Sequence, residues 1–364
     1  MAGEKELGND GNAIANPAVV ALSMKKECVL HLVSVIVPTY NRAPLLSVTL
    51  ETVRAQVYRP METIVVDDGS TDNTASVVRH FKESTVGDIE VVYLRQTNQG
   101  AAAARNRGLE ECRGEFIQYL DSDDLLHPEK ISSQVAVLLQ EPEVDYVFCA
   151  YGLVDEGEER SAAWPPSAFP VGRELIIDFM LGHNRRLRWP LNSNNGLYRR
   201  SLCVNVGPWD VEQRYMEDPL YNTRVLLTCN QCRYVPFVHV WVRRSGHGHA
   251  AAAVGQASAI ADIRRGWQKL VRLLDDAGCL NRRRRCLIGR AYYGHARDAF
   301  MAGASAMGME LLDEGTHIAG VSCTWLNLRL ARMLYSLLGT RTANVLFRAV
   351  RAIVPNALLV KGVR

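Results

Sequence analysis

The feature that most constrains this chain is an alternation of two hydrophobic periods between Val33 and Tyr151. Short runs rich in β-branched and apolar residues stand at 33–37, 62–66, 89–93, 116–120 and 144–148. Between them lie stretches with helical spacing at about 44–56, 72–82, 100–112 and 128–140. Parallel strands need a crossover between them, usually a helix. Strand–helix alternation therefore predicts an α/β fold with a mostly parallel central sheet flanked by helices. Such sheets bind ligands beyond the carboxyl ends of their strands, so the residues that follow each strand carry the functional information.

Those residues are polar, acidic or glycine-containing four times running. Pro38-Thr39-Tyr40-Asn41-Arg42 follows the first run and Asp67-Asp68-Gly69-Ser70 the second. Asn98-Gln99-Gly100 follows the third and Asp121-Ser122-Asp123-Asp124 the fourth. Asp121 and Asp123 are two residues apart in a bend and can address one divalent ion. An all-oxygen donor set suits Mg²⁺ or Mn²⁺, which commonly keep phosphates as co-ligands. The competing structural reading is that Asp123 or Asp124 caps the helix that begins near Pro128. A carboxylate at Asp67 or Asp68 can accept from a ribose hydroxyl or a base N–H, and Asp-Gly-Ser is equally good turn chemistry.

Asn98-x-Gly100 opens into Ala101-Ala102-Ala103-Ala104-Arg105, where small residues permit close approach of a backbone or a ligand. Arg105 can reach an anionic ligand or brace the acidic cluster; alanine is also simply the best helix former. In Met216-Glu217-Asp218-Pro219, one carboxylate can serve as general base for an acceptor hydroxyl. The structural reading puts Asp218 at the N-cap and Pro219 at the first helical position, with Arg224 near the face of Glu217. His247 and His249 lie in a glycine-containing stretch, and His247 is a candidate third metal ligand; a solvated polar loop is the alternative.

Taken together, these motifs resemble family 2 of the inverting glycosyltransferases, of bacterial surface-polysaccharide type, with the GT-A fold. The resemblance rests on Val35-Ile36-Val37-Pro38-Thr39-Tyr40-Asn41-Arg42, Val65-Val66-Asp67-Asp68-Gly69-Ser70-Thr71-Asp72, Ala104-Arg105-Asn106-x-Gly108 and Tyr119-Leu120-Asp121-Ser122-Asp123-Asp124. Gly207-Pro208-Trp209-Asp210 and Glu217-Asp218 resemble its later acceptor-side motifs. The resemblance implies a nucleotide-sugar site including Pro38, Thr39, Tyr40, Arg42, Asp67, Asp68, Asn98, Gly100, Arg105, Asp121 and Ser122. It also implies Asp123 as direct metal ligand, Asp121 as a shared ribose and metal contact, and Asp218 as catalytic base beside Glu217. The implied reaction is a single displacement. It moves a hexosyl or N-acetylhexosaminyl group from a nucleotide-diphosphate sugar, a UDP-sugar first, to a glycan or lipid-linked acceptor. A non-catalytic nucleotide-binding scaffold on the same fold is the alternative, and intact Asp121, Asp123 and Asp218 argue against it. A nucleotidyltransferase would want a glycine-rich phosphate loop after the first strand, and Pro38-Thr39-Tyr40-Asn41 is not one.

The expected organisation is a disordered leader (1–30), a GT-A domain (31–255, its donor half about 31–130 and acceptor half about 131–255), and a helical C-terminal region (256–364). Residues 152–195 read as a loop-rich insertion. The net charge of +3 conceals a basic C-terminal segment that includes Arg282-Arg283-Arg284-Arg285. Its helices can lie on an anionic bilayer or pack on the body with a solvated basic face. No nucleic-acid-binding motif accompanies this charge. No run is long enough to span a bilayer. The nine cysteines form one CxxC, Cys229 and Cys232, without zinc-ligand companions. The expected location is the cytoplasm, including the cytoplasmic face of the inner membrane.

Overall fold

The computed structural model describes residues 26–85, 87, 89–155, 161–164, 172–182, 190–244 and 257–320, with 332, 333, 335 and 337. Four strand–helix units come first. They are β1 (Val29–Thr39) and α1 (Ala43–Arg54), β2 (Met61–Asp67) and α2 (Thr74–Ser84), β3 (Glu90–Arg95) and α3 (Ala101–Glu111), and β4 (Gly114–Tyr119). A short β5 (Leu125–Leu126), α4 (Lys130–Gln140), β6 (Val144–Asp155) and β7 (Ser161–Trp164) follow. Then come α5 (Arg173–Gly182), β8 (Gly196–Arg199), α6 (Arg200–Val206), α7 (Glu217–Thr228) and β9 (Gln231–Arg244). Three helices close the described chain: α8 (Ala257–Asp276), α9 (Arg282–Met301) and α10 (Ser305–Ala319).

The sheet runs β3-β2-β1-β4-β8-β6-β9-β5, with β7 paired to β6. The first four strands are parallel, with Val33 opposite Met61 and Thr39 opposite Asp67. Beyond β4 the sheet is mixed. Strand β8 is antiparallel to both β4 and β6, while β9 is parallel to β6. The parallel half explains the near-continuous apolar strands, because both its faces are covered. Val33, Val35 and Val37 pack with Leu46, Leu50 and Val53 of α1 on one face. Ile36, Ile64 and Val66 pack with α3 on the other. Gly108 sets that second contact: a Cβ there would stand 2.4 Å from Ile36 Cγ2. Helix α3 thus lies directly on β1, which aims its first turns, with Arg105, at the strand ends.

Three expectations change. Strand β1 begins at Val29, inside the stretch read as leader, and the Val29 N–H donates to Arg113 O (2.6 Å). Helix α5 occupies part of the region read as loop-rich, because Ile176, Ile177, Met180 and Leu181 share one buried face at helical spacing. The arginine run is only partly an open basic face: Arg282 and Arg283 are exposed, but Arg284 turns inward. Arg284 is 1% exposed and pairs with Asp178 (2.8 Å) and Glu174 (2.6 Å) of α5. Arg283 reaches Asp178 (3.3 Å) and Arg285 reaches Asp275 (3.4 Å). Local sequence shows the charge; only the packing supplies the acidic partners. Helices α8 to α10 share one core with the sheet, in which Ile263, Trp267, Leu270 and Tyr292 join Trp209 and Tyr221. Most of the basic amphipathic stretch at 326–364 lies outside the described residues. No described helix is long and apolar enough to cross a membrane. The described cysteines, Cys229 and Cys232 among them, carry free thiols.

Lys130 is fully buried and donates to Gln118 Oε1 and Gly196 O. Burial pushes its ammonium down to about 7 from an ordinary 10.5. Between those values the unfolded chain holds one proton more than the folded one, so Lys130 makes stability rise with pH across that window. Lys130→Met is expected to flatten the rise between pH 7 and 10. Urea unfolding at several pH values would show it, and an unchanged slope would remove Lys130 as its source.

Candidate active site

The strand-end turns are built from one another. Asn41 takes a left-handed conformation (φ 51°), which turns the chain after β1. Its N–H donates to Ser70 Oγ (2.9 Å) and its Oδ1 accepts from the Thr71 N–H (2.7 Å). The first and second turns are thereby joined. Asp67 Oδ1 accepts from the Ser70 N–H (2.7 Å) and its Oδ2 from the Tyr93 hydroxyl. Asp68 accepts from Gln96 Nε2 (2.8 Å), the Gln99 N–H (2.9 Å) and the Gly100 N–H (2.7 Å). Both carboxylates are buried, so in this geometry they brace turns. Gly100 holds φ 93°, a conformation that favours glycine, and delivers the chain into α3. Pro38 and Thr39 are buried at the end of β1, whereas Tyr40 (46% exposed) and Asn98 stand open at the rim.

The acidic cluster follows β4. Asp121 Oδ1 accepts from Arg105 (2.7 Å), and its Oδ2 and N–H both meet the Asn194 side chain (3.2 and 2.7 Å). Asp123 pairs with Arg42. Ser122 is buried, and its carbonyl accepts from Thr49 Oγ1 (3.1 Å). Asp124 accepts from Asn194 Nδ2 (2.6 Å) and the Arg243 N–H (2.9 Å). Burial, with Asp123 and Asp121 adding to it, holds the Asp124 carboxyl well above the usual range. The capping alternative fails: α4 begins at Lys130 after Glu129, with no side-chain cap. Asp123 and Asp124 are drawn instead into contacts with distant elements.

The second carboxylate pair opens α7. Met216 adopts a left-handed conformation (φ 67°) and its carbonyl accepts from the Leu220 N–H (3.1 Å). The helix therefore starts at Glu217 and not after Asp218, which corrects the N-cap expectation. Pro219 is accommodated because first-turn N–H groups have no intrahelical partner. Asp218 Oδ1 accepts from the Ser193 N–H (2.9 Å). Burial pushes Asp218 up to about 7, with Arg105 opposing and Asp121 and Glu217 reinforcing. Glu217 is also raised by burial, against the pull of Arg105. Arg224 does not turn to Glu217; it donates to Val206 O (3.3 Å) and Pro208 O (2.7 Å) and holds that turn.

Arg105 joins the two halves. It is 2% exposed, donates to Asp121 (2.7 Å) and to Glu217 Oε1 (2.9 Å), and lies 4.6 Å from the Trp209 ring centroid. Asn106 pairs reciprocally with the Trp209 backbone (2.9 and 2.7 Å). The tryptophan therefore belongs to the same frame, stacked on Tyr221 at 3.8 Å.

Three contributors were missed in the sequence. The turn Asn192-Ser193-Asn194-Asn195 supplies Asn194 to Asp121 and Asp124, and the Ser193 N–H to Asp218. Its signal was a run of short polar residues, overlooked as part of an insertion. Arg243, at the end of β9, donates through its N–H to Asp124, through its Nε to Asp123 O, and through a terminal nitrogen to Leu45 O (3.1 Å). Asp262 of α8 accepts from the N–H groups of Arg214 (3.0 Å) and Tyr215 (2.7 Å), and so fixes the segment that presents Glu217 and Asp218. Gly266 lets α8 approach: a Cβ there would lie 3.0 Å from Met216 Cβ. His247 lies outside the described residues.

Residues 34–202 match the model of glycosyl transferase family 2. An uncharacterised glycosyltransferase of Rickettsia typhi is 35% identical over 134 residues, which are 36% of this chain and 40% of that protein. The chain thus spans less than half the length of that relative. The crystal structure of S. aureus TarS 1-349 in complex with UDP-GlcNAc aligns with TM-score 0.64 at 20% identity, covering 87% of this chain and 91% of that one. Mannosyltransferase PcManGT from Pyrobaculum calidifontis, in complex with GDP-Man and Mn²⁺, aligns with TM-score 0.52 at 21% identity, covering 89% and 85%. The fold is GT-A, and residues 34–202 are similar to glycosyl transferase family 2.

Proposed function

We propose that the chain is an inverting glycosyltransferase, which moves a sugar from a nucleotide-diphosphate donor to a hydroxyl of a glycan or lipid-linked acceptor. The observation that carries this reading is the Arg105 bridge, which links Asp121 to the Glu217-Asp218 pair through one buried guanidinium. Asp218 takes the acceptor proton. The acceptor oxygen then bonds to the anomeric carbon from the face opposite the diphosphate, and the bond from that carbon to the phosphate oxygen breaks, which inverts the centre. A base with a proton affinity near neutrality suits the first event.

The carboxylates of Asp121 and Asp123 are an oxygen-only donor set that fits Mg²⁺ or Mn²⁺, with Arg42 releasing Asp123. An ion held by these two residues would supply positive charge beside the leaving diphosphate. Arg42, once released, can turn to the same phosphates. The complexes of TarS with UDP-GlcNAc and of PcManGT with GDP-Man and Mn²⁺ support a nucleotide-sugar donor, a UDP-sugar first, and a divalent ion. Surface-polysaccharide assembly at the cytoplasmic face of the membrane is the setting we assign.

A thermal-shift series with UDP- and GDP-sugars, with and without Mn²⁺, tests this. One donor class is expected to stabilise the protein in a metal-dependent way. Asp123→Asn is expected to abolish the metal dependence. Metal-dependent donor binding that survives this substitution unchanged would refute the assignment.

A further inference from the structure

Three residues beyond Asp124, the outer edge of the sheet brings together two imidazoles and a carboxylate. Strands β5 and β9 pair antiparallel, with Leu125 opposite Trp241 and Leu126 opposite Val240. One further step in this register sets His127 opposite His239, and the His127 N–H donates to His239 O (2.8 Å). Directly opposed residues in an antiparallel pair place their side chains on one face. The two rings accordingly lie 5.1 Å apart between centroids, inclined by 12°. Glu129 follows two residues after His127, where the chain turns into α4. The candidate ligand atoms of His127, Glu129 and His239 all lie within 4.8 Å of one another.

We propose that His127, Glu129 and His239 form a second metal site, separate from Asp121 and Asp123, that takes a divalent transition ion of the zinc class. Two imidazoles and one carboxylate favour a borderline ion over Mg²⁺ or Mn²⁺, which suit all-oxygen sites. His239 is the fixed anchor. It is 6% exposed, and Ser133 Oγ stands 3.2 Å from its Nδ1. That contact suits a proton on Nδ1 and leaves the Nε2 lone pair for the ion. Ligands about 2.0–2.2 Å from a tetrahedral ion stand roughly 3.5 Å apart, so the set must close by about an ångström. The half-buried His127 and exposed Glu129 are free to make that movement. The contact given up is weak: His127 Nδ1 accepts from the Glu129 N–H at 3.3 Å. Binding would clamp β5 and β9 to the start of α4, at the base of the segment that carries Asp121 to Asp124.

Co²⁺ titrated into the full chain with Mg²⁺ in excess tests the site. Visible ligand-field bands of nitrogen-containing coordination are expected, with Zn²⁺ displacing Co²⁺. Asp123→Asn should leave the bands intact. His127→Asn and Glu129→Gln should weaken binding by about tenfold or more, and Ser133→Ala by about tenfold through loss of imidazole orientation. Circular dichroism of His127→Asn separates ligand loss from misfolding. Bands that persist in folded His127→Asn, bands that vanish in Asp123→Asn, or no bands in the parent protein would each overturn the proposal.

Discussion

Asp218→Asn is expected to lower kcat by about 10²–10⁴-fold, the usual contribution of a positioned general base, while the protein stays folded. The amide oxygen can still accept from the Ser193 N–H, so the local geometry has no reason to collapse. The same residue predicts the pH profile. Asp218 must be ionised to act, and burial raises it to about 7, so the rate of the parent enzyme should climb as pH rises through 7 and then level off. The asparagine variant should lack that limb. Its stability should move the other way. Between the ordinary 3.8 and about 7, the folded chain holds a proton that the unfolded chain has released, so the contribution of Asp218 falls as pH rises. Removing it should leave the variant at least as stable as the parent at pH 8. If more than about a tenth of kcat survives, or the acid limb remains, the base lies elsewhere and Glu217 is the next residue to test.

Arg105→Met should carry the largest stability cost of any single change in the site, about 3–5 kcal/mol. The side chain is 2% exposed and its charge faces Asp121, Glu217 and Asp218, so its removal leaves carboxylates grouped in a poorly solvated place with no counter-charge. The loss should be greater at pH 8 than at pH 5, because protonation relieves the uncompensated charge as pH falls. Adding Glu217→Gln should recover part of it. Urea unfolding of the two single variants and the double variant at both pH values gives the coupling directly. A loss below about 1 kcal/mol would mean that Arg105 is not the counter-ion the geometry makes it.

Much of the fold over residues 31–130 was legible before any coordinates. The β-branched runs at 33–37, 62–66 and 116–120 and the helical stretches between them are local patterns, and β1, β2, β4 and helices α1 to α4 lie where those patterns put them. The two readings of Arg105 could not be separated that way. Arg105 braces the cluster through Asp121, 16 residues on, while its second partner, Glu217, is 112 residues distant in sequence. Asn194 and Arg243 were missed for the same reason: their partners lie 70 or more positions away, and a run of short polar residues around Asn194 does not say which carboxylates it meets. Arg284 misled in the opposite direction, since its run of four reads as a surface charge until α5 brings Glu174 and Asp178 against it.

The sequence by itself therefore determined the strand–helix order and the placement of Asp121-Ser122-Asp123-Asp124 after a buried strand, because hydrophobic period and turn chemistry act over a few residues. Tertiary structure alone decided which carboxylates share a counter-ion, which brace turns, and that α8 supports the segment bearing Asp218. Those outcomes follow from electrostatics and close packing between segments far apart in the chain, which no local pattern encodes.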